Sequence, residues 1–186
     1  MSFCQDYEIE RVYCDQTDLL ALSTNPHPLV FSPGPHSPAD LPQSVELARR
    51  MLGKAPILGI CLGHQILAQI AGYVVSHAKE PCHGLGKKIL CQTSSGIFTN
   101  MPQSFVAGSY HSLAAKEQDL PPLNWRIIAR CSQGEIQGIE CLSETSSPAI
   151  GLQFHPESFL TEHSEIMAKN WLAIANNWYL HYCESI

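Results

Sequence analysis

The stretch from Pro56 to Gly72 constrains this chain more than any other. Pro56-Ile57-Leu58-Gly59-Ile60 is an apolar run too short for a helix of its own, and it reads as a buried strand. His64 to Ala71 then reads as a helix, with Gly72 as its stop. At the join, Gly59-Ile60-Cys61-Leu62-Gly63 sets one cysteine between glycines two positions away on each side. A strand that turns sharply into a helix brings two backbones together, and side chains at the flanking positions would collide. Upstream, Leu29-Val30-Phe31 is a second short buried strand. Val45, Ala48, Met51 and Leu52 share one helical face, and Gly53 suits the position after the last turn. Strand and helix alternate through the first half, which predicts an α/β fold: an open, mostly parallel sheet with helices on both faces. Beyond residue 85 the pattern turns to strands at Lys88–Cys91, Phe105–Gly108, Arg126–Ala129, Ile136–Glu140 and Ala149–Phe154. A closing helix over about 164–179 carries Met167, Trp171, Ile174 and Trp178 along one stripe.

Length and charge narrow the function. With 186 residues, the chain is read as a single domain over 1–186. A net charge of −6 with 11 lysines and arginines argues against binding a nucleic-acid backbone, which depends on clustered positive charge. No apolar run approaches the roughly 20 residues that span a bilayer. The opening Met1-Ser2-Phe3-Cys4-Gln5-Asp6-Tyr7 lacks the features of a signal peptide, so a cytoplasmic protein is expected. No two of the 8 cysteines stand two to four residues apart, so neither a zinc site nor a thioredoxin-type pair is expected.

Cys61 then stands apart from the other cysteines. Its setting is a nucleophile elbow in which cysteine replaces the serine of the hydrolase version. The turn lifts the thiol out of the sheet and places it at a helix N-terminus, where partial positive charge favours thiolate. The amide of Leu62 becomes free to bind a developing oxyanion. A thiol nucleophile needs a base, and the base needs an orienting group. His64 lies on the helix after the elbow and is expected to point away. His155 follows the strand Ile150-Gly151-Leu152-Gln153-Phe154 and precedes Pro156 and Glu157. Strand C-termini share one edge of a parallel sheet, so His155 and Cys61 can converge there. Glu157 can accept from the imidazole Nδ1–H.

Two motifs, Gly59-Ile60-Cys61-Leu62-Gly63-His64-Gln65 and Gln153-Phe154-His155-Pro156-Glu157-Ser158, give the chain a clear resemblance to the triad-type (class I) glutamine amidotransferases. Ser32-Pro33-Gly34-Pro35, Cys82-His83-Gly84 and Tyr110-His111-Ser112-Leu113 narrow it. With them the chain resembles the glutaminase component of anthranilate synthase and of aminodeoxychorismate synthase. The resemblance implies that Cys61 is the nucleophile, His155 the general base and acid, and Glu157 its orienter. It places Gln65, His111 and Ser112 at the substrate, and the amides of Leu62 and Gly34 in the oxyanion hole. It implies L-glutamine as substrate, a chorismate-using synthase subunit as partner, and no cofactor or metal.

Two departures accompany the resemblance. His36 stands where the family usually has glycine; if the loop needs a positive φ there, histidine costs about 1–2 kcal/mol. The family's first strand has no counterpart, so Glu8–Tyr13 is expected to form what is normally the second strand. Two further readings of the same residues stay open: a stand-alone γ-glutamyl hydrolase, and a catalytically silent regulatory subunit.

Overall fold

The computed structural model describes residues 7–14, 19–94, 96–118, 123–142 and 147–184. The first half builds as its pattern requires. Strand β1 (Leu29–Phe31) leads to helix α1 (Pro42–Met51), and β2 (Ile57–Ile60) leads to α2 (Leu62–Ala71). Gly72 ends α2 in the left-handed conformation, φ 99°, which costs glycine nothing. A short strand β3 (Val74–His77) follows. Next come β4 (Leu85–Cys91), β5 (Ser104–Ser109), β6 (Leu113–Lys116), β7 (Trp125–Cys131), β8 (Ile136–Cys141), β9 (Ala149–Leu152) and the long helix α3 (Ser164–Glu184).

Seven strands form one sheet in the order β1-β2-β9-β8-β7-β4-β5, and β3 pairs with β6 in a separate antiparallel ribbon. The α/β class holds, but the expectation of a mostly parallel sheet is corrected. Only β1, β2 and β9 run parallel, and every other pairing is antiparallel. The reason lies in the connections. A parallel neighbour needs a long crossover, which α1 supplies between β1 and β2. Among the described residues no helix stands between β7 and β8 or between β8 and β9, and short links close only antiparallel pairs.

Both faces of the sheet are covered. Ile57 and Ala149 join Val45, Ala48 and Met51 of α1 and Ile66 and Leu67 of α2 in one core. Leu58, Ile60, Ile150 and Leu152 point the other way, into a second core with Met167 and Trp171 of α3. All four residues of β2 and of β9 are buried, so both read as unbroken apolar runs. The Glu8–Tyr13 stretch does not form the expected strand. It has no regular secondary structure and is mostly exposed, with Ile9 72% accessible, and β1 pairs only with β2 among the described residues.

Candidate active site

The elbow is built as tightly as its glycines suggest. A Cβ on Gly59 would overlap the Gly63 carbonyl group, and one on Gly63 would overlap the Phe31 carbonyl oxygen. Cys61 holds φ 52° and ψ −98°, a positive φ that L-residues avoid, and it caps the N-terminus of α2. Its N–H donates to the Leu152 carbonyl (2.8 Å), extending the β2–β9 ladder by one step. Its carbonyl accepts the Gln65 N–H (3.0 Å), which starts the helix. The amide of Leu62, in the first turn, has no acceptor within the helix.

His155 stands just past β9, and its N–H donates to Gly108 of β5 at 2.9 Å. Its carbonyl accepts the Thr161 hydroxyl (2.6 Å), and the Tyr110 ring packs edge-on against the imidazole with centroids 4.8 Å apart. Tyr110 is held in turn by a 3.0 Å hydrogen bond between its hydroxyl and that of Ser158. Nδ1 of His155 lies 2.7 Å from Glu157 Oε1. Nε2 is buried with no hydrogen bond of good geometry, yet the Cys61 thiol is near enough to bear on the ring's charge. Burial pulls the His155 pKa down, but Cys61 and Glu157 together outweigh it and raise it to about 9. Burial raises the Glu157 carboxyl, but the hydrogen bond from His155, a backbone hydrogen bond and the charge of the His155 ring together outweigh it and leave it below its ordinary value.

A cavity of about 210 Å³ opens beside Cys61. Gly34, Leu62, Gln65, His111 and Ser112 all line it, so the structure gathers every residue that the sequence placed at the substrate. The Ser32–His36 loop reaches Leu62: a Cβ on Gly34 would sit 3.1 Å from the Leu62 side chain. His111 is buried, chiefly for that reason keeps a pKa near 4, and is a neutral ring at physiological pH. His64 is fully buried, packs over Gly151 and likewise falls to about 4, chiefly through burial. His36 does take the left-handed conformation, φ 80°, and lines the cavity. Tyr110 and His83 also reach it, although the sequence reading gave them no role. Both lie inside stretches that the resemblance had singled out, which was the available signal. A larger cavity of about 280 Å³ beside Lys87 and Lys88 holds neither Cys61 nor His155.

A thiol at a strand-to-helix turn, beside an imidazole anchored by a carboxylate, defines an elbow-type cysteine enzyme of the α/β class. The sequence pattern of the class-I glutamine amidotransferases matches residues 3–175, and the chain belongs to that family. It is 39% identical over 170 residues to the bifunctional protein TrpGD of Thermotoga maritima, covering 91% of this chain and 28% of that one. It is 37% identical over 148 residues to the aminodeoxychorismate/anthranilate synthase component 2 of Bacillus subtilis, covering 80% of this chain and 74% of that one. The structure of a glutamine amidotransferase from Thermotoga maritima superposes with a TM-score of 0.60 at 22% identity. That match covers 81% of this chain and 62% of that one, and it speaks to the fold alone.

Proposed function

We propose that the chain is the glutaminase subunit of a chorismate-using synthase, releasing ammonia from L-glutamine for anthranilate or 4-amino-4-deoxychorismate synthesis. The observation that carries this reading is the His155–Glu157 contact of 2.7 Å beside Cys61, at a cavity lined by Gly34, Leu62, Gln65, His111 and Ser112. The names of the relatives support the partner.

The Cys61 sulfur attacks the side-chain amide carbon of glutamine, and the carbonyl π-electrons move onto oxygen, which the amides of Leu62 and Gly34 stabilise. The electrons return, the C–N bond breaks, and the His155 imidazolium gives its proton to the leaving nitrogen, which departs as ammonia. Water then gives a proton to His155 as its oxygen attacks the thioester. The C–S bond breaks, glutamate leaves and the thiolate is restored. Gln65 has its Nε2 committed to the Leu113 carbonyl, so its Oε1 is the atom left to accept from the substrate's ammonium group.

Cys61→Ser in the complex with the synthase subunit is the test. Glutamine-dependent synthesis disappears, while synthesis from an ammonium salt continues at the wild-type rate. Equal loss of both activities would remove Cys61 from the ammonia-releasing role. Glutamine hydrolysis at full rate without any partner would favour the stand-alone γ-glutamyl hydrolase, and no hydrolysis in either state the silent subunit.

A further inference from the structure

Gln153 is fully buried at the catalytic end of the sheet, and the mechanism above leaves it without a task. It follows β9 directly, next to Cys61 on the neighbouring strand: Ile60 pairs with Leu152, and the next residue on each side is Cys61 and Gln153. Its backbone N–H donates to the Gln137 carbonyl at 2.9 Å, which holds the main chain in the ladder. Its side chain touches two groups. Nε2 lies 3.8 Å from the Cys61 sulfur, and Oε1 lies 3.5 Å from Nε2 of Gln65.

The orientation of this amide follows from donor and acceptor chemistry. Gln65 directs one end of its own amide at the Leu113 carbonyl, 3.1 Å away. A carbonyl can only accept, so that end of Gln65 must be the NH2 group. The same NH2 faces Gln153, whose near atom must therefore be oxygen. The remaining end of Gln153, its NH2, is left pointing at the sulfur. A contact of 3.8 Å is long for a neutral thiol, and hydrogen bonds shorten and strengthen when the acceptor is charged.

We propose that Gln153 is a further catalytic residue, whose Nε2–H donates to the Cys61 sulfur and stabilises it as thiolate. The donor serves twice: it favours the attacking anion, and it hydrogen-bonds to the sulfur again as the electron pair of the C–S bond returns to that sulfur when the thioester is hydrolysed. The chain Leu113–Gln65–Gln153–Cys61 also ties the Ser112–Leu113 segment, which lines the cavity, to the nucleophile. The thioester step rests on the glutaminase reading; the contact with the thiolate does not.

Gln153→Met keeps length and volume and removes the N–H. Alkylation of Cys61 by iodoacetamide reads the thiolate without requiring glutamine turnover, so it stays informative even if the glutaminase reading fails. The titratable groups around the sulfur are His155 beyond β9, His64 on α2, and His36, His83 and His111 at or near the cavity, and the substitution leaves all of them in place. The expected result is alkylation about tenfold slower at neutral pH, its profile moved about one pH unit upward, and weaker thiolate absorbance in the ultraviolet. With glutamine, kcat falls more than KM changes, and acyl-enzyme accumulates. A folded Gln153→Met protein with wild-type alkylation and absorbance overturns the proposal. Should that variant not fold, Gln65→Met releases the Gln153 amide from its lock; slower alkylation there supports the proposal and an unchanged rate overturns it.

Discussion

His155 and Glu157 are separated by one proline, so their 2.7 Å contact is a local property of three consecutive residues. Its consequence is electrical. Desolvation alone would make His155 a weaker base, yet Cys61 and Glu157 hold its proton until about pH 9. In the proposed mechanism protonated imidazole delivers a proton to the leaving nitrogen, so activity should fall on the alkaline side as that proton is lost. Glu157→Gln removes one of the two groups that raise the pKa. The alkaline limb of kcat/KM is expected to move down by about one pH unit, with a smaller loss at neutral pH than in His155→Ala. A limb that stays in place would show that Glu157 does not set the charge of this ring. This contact was legible in the sequence because it needs no distant neighbour. Tyr110 escaped notice as the residue that walls the imidazole, because nothing local relates residues 110 and 155.

At the scale of elements, the β1–β2–α2 unit carries the site, and Gly63 is its contact point. The helix approaches β1 so closely that any Cβ at Gly63 would meet the carbonyl oxygen and Cβ of Phe31. Those atoms are main chain or fixed to it, so the collision cannot be relieved by a rotamer change. Gly63→Ala is therefore expected to lower stability by about 1–3 kcal/mol in urea unfolding. It should also depress kcat beyond any loss of folded protein, because displacing α2 from β1 moves Leu62 away from the Ser32–His36 loop. Full activity in the folded variant would mean that the two oxyanion donors need not be held in fixed relation. The flanking glycines were readable from sequence as a demand for close approach. That the approaching partner for Gly63 is Phe31 was not, since the contact joins elements distant in the chain.

For the whole molecule, buried histidines set the pH range of stability. His64 and His111 keep pKa values near 4 in the folded protein against about 6.5 when exposed. Between those limits the unfolded chain binds more protons than the native one, so stability falls as pH drops from about 6.5 to about 4. Glu157, with its lowered pKa, loses its contribution in acid as well. His155 runs the other way. Its raised pKa gives stability that is complete below about 6.5 and lost as pH rises through about 9. The urea midpoint should therefore be highest near pH 6.5, declining toward pH 4 as the two buried histidines oppose folding and toward pH 9 as the His155 contribution is lost. His64→Gln should flatten the acid limb and leave the alkaline limb alone. An acid limb of unchanged slope would remove His64 from this account.

The sequence by itself determined the class of fold, the elbow turn and the His155–Glu157 contact beyond it. Each of these is written in short-range information: apolar runs of strand length, helical stripes, glycines at fixed offsets, and a histidine with its acid two residues on. Through the family resemblance it also marked Ser32–Pro35 and Tyr110–Leu113 as belonging with the site, though it could not say how they reach it. Only the tertiary structure decided which strands pair and in which direction. It split the sheet into a parallel part around β2 and an antiparallel remainder, and it built the β3–β6 ribbon from two short segments with no clear period of their own. It likewise turned Gln153 from a buried polar residue in a motif into a donor aimed at the nucleophile. The reason is the same in each case. A residue's own pattern records whether it is buried, whereas hydrogen-bond partners across a sheet or between helix and loop are chosen by segments far apart in the chain.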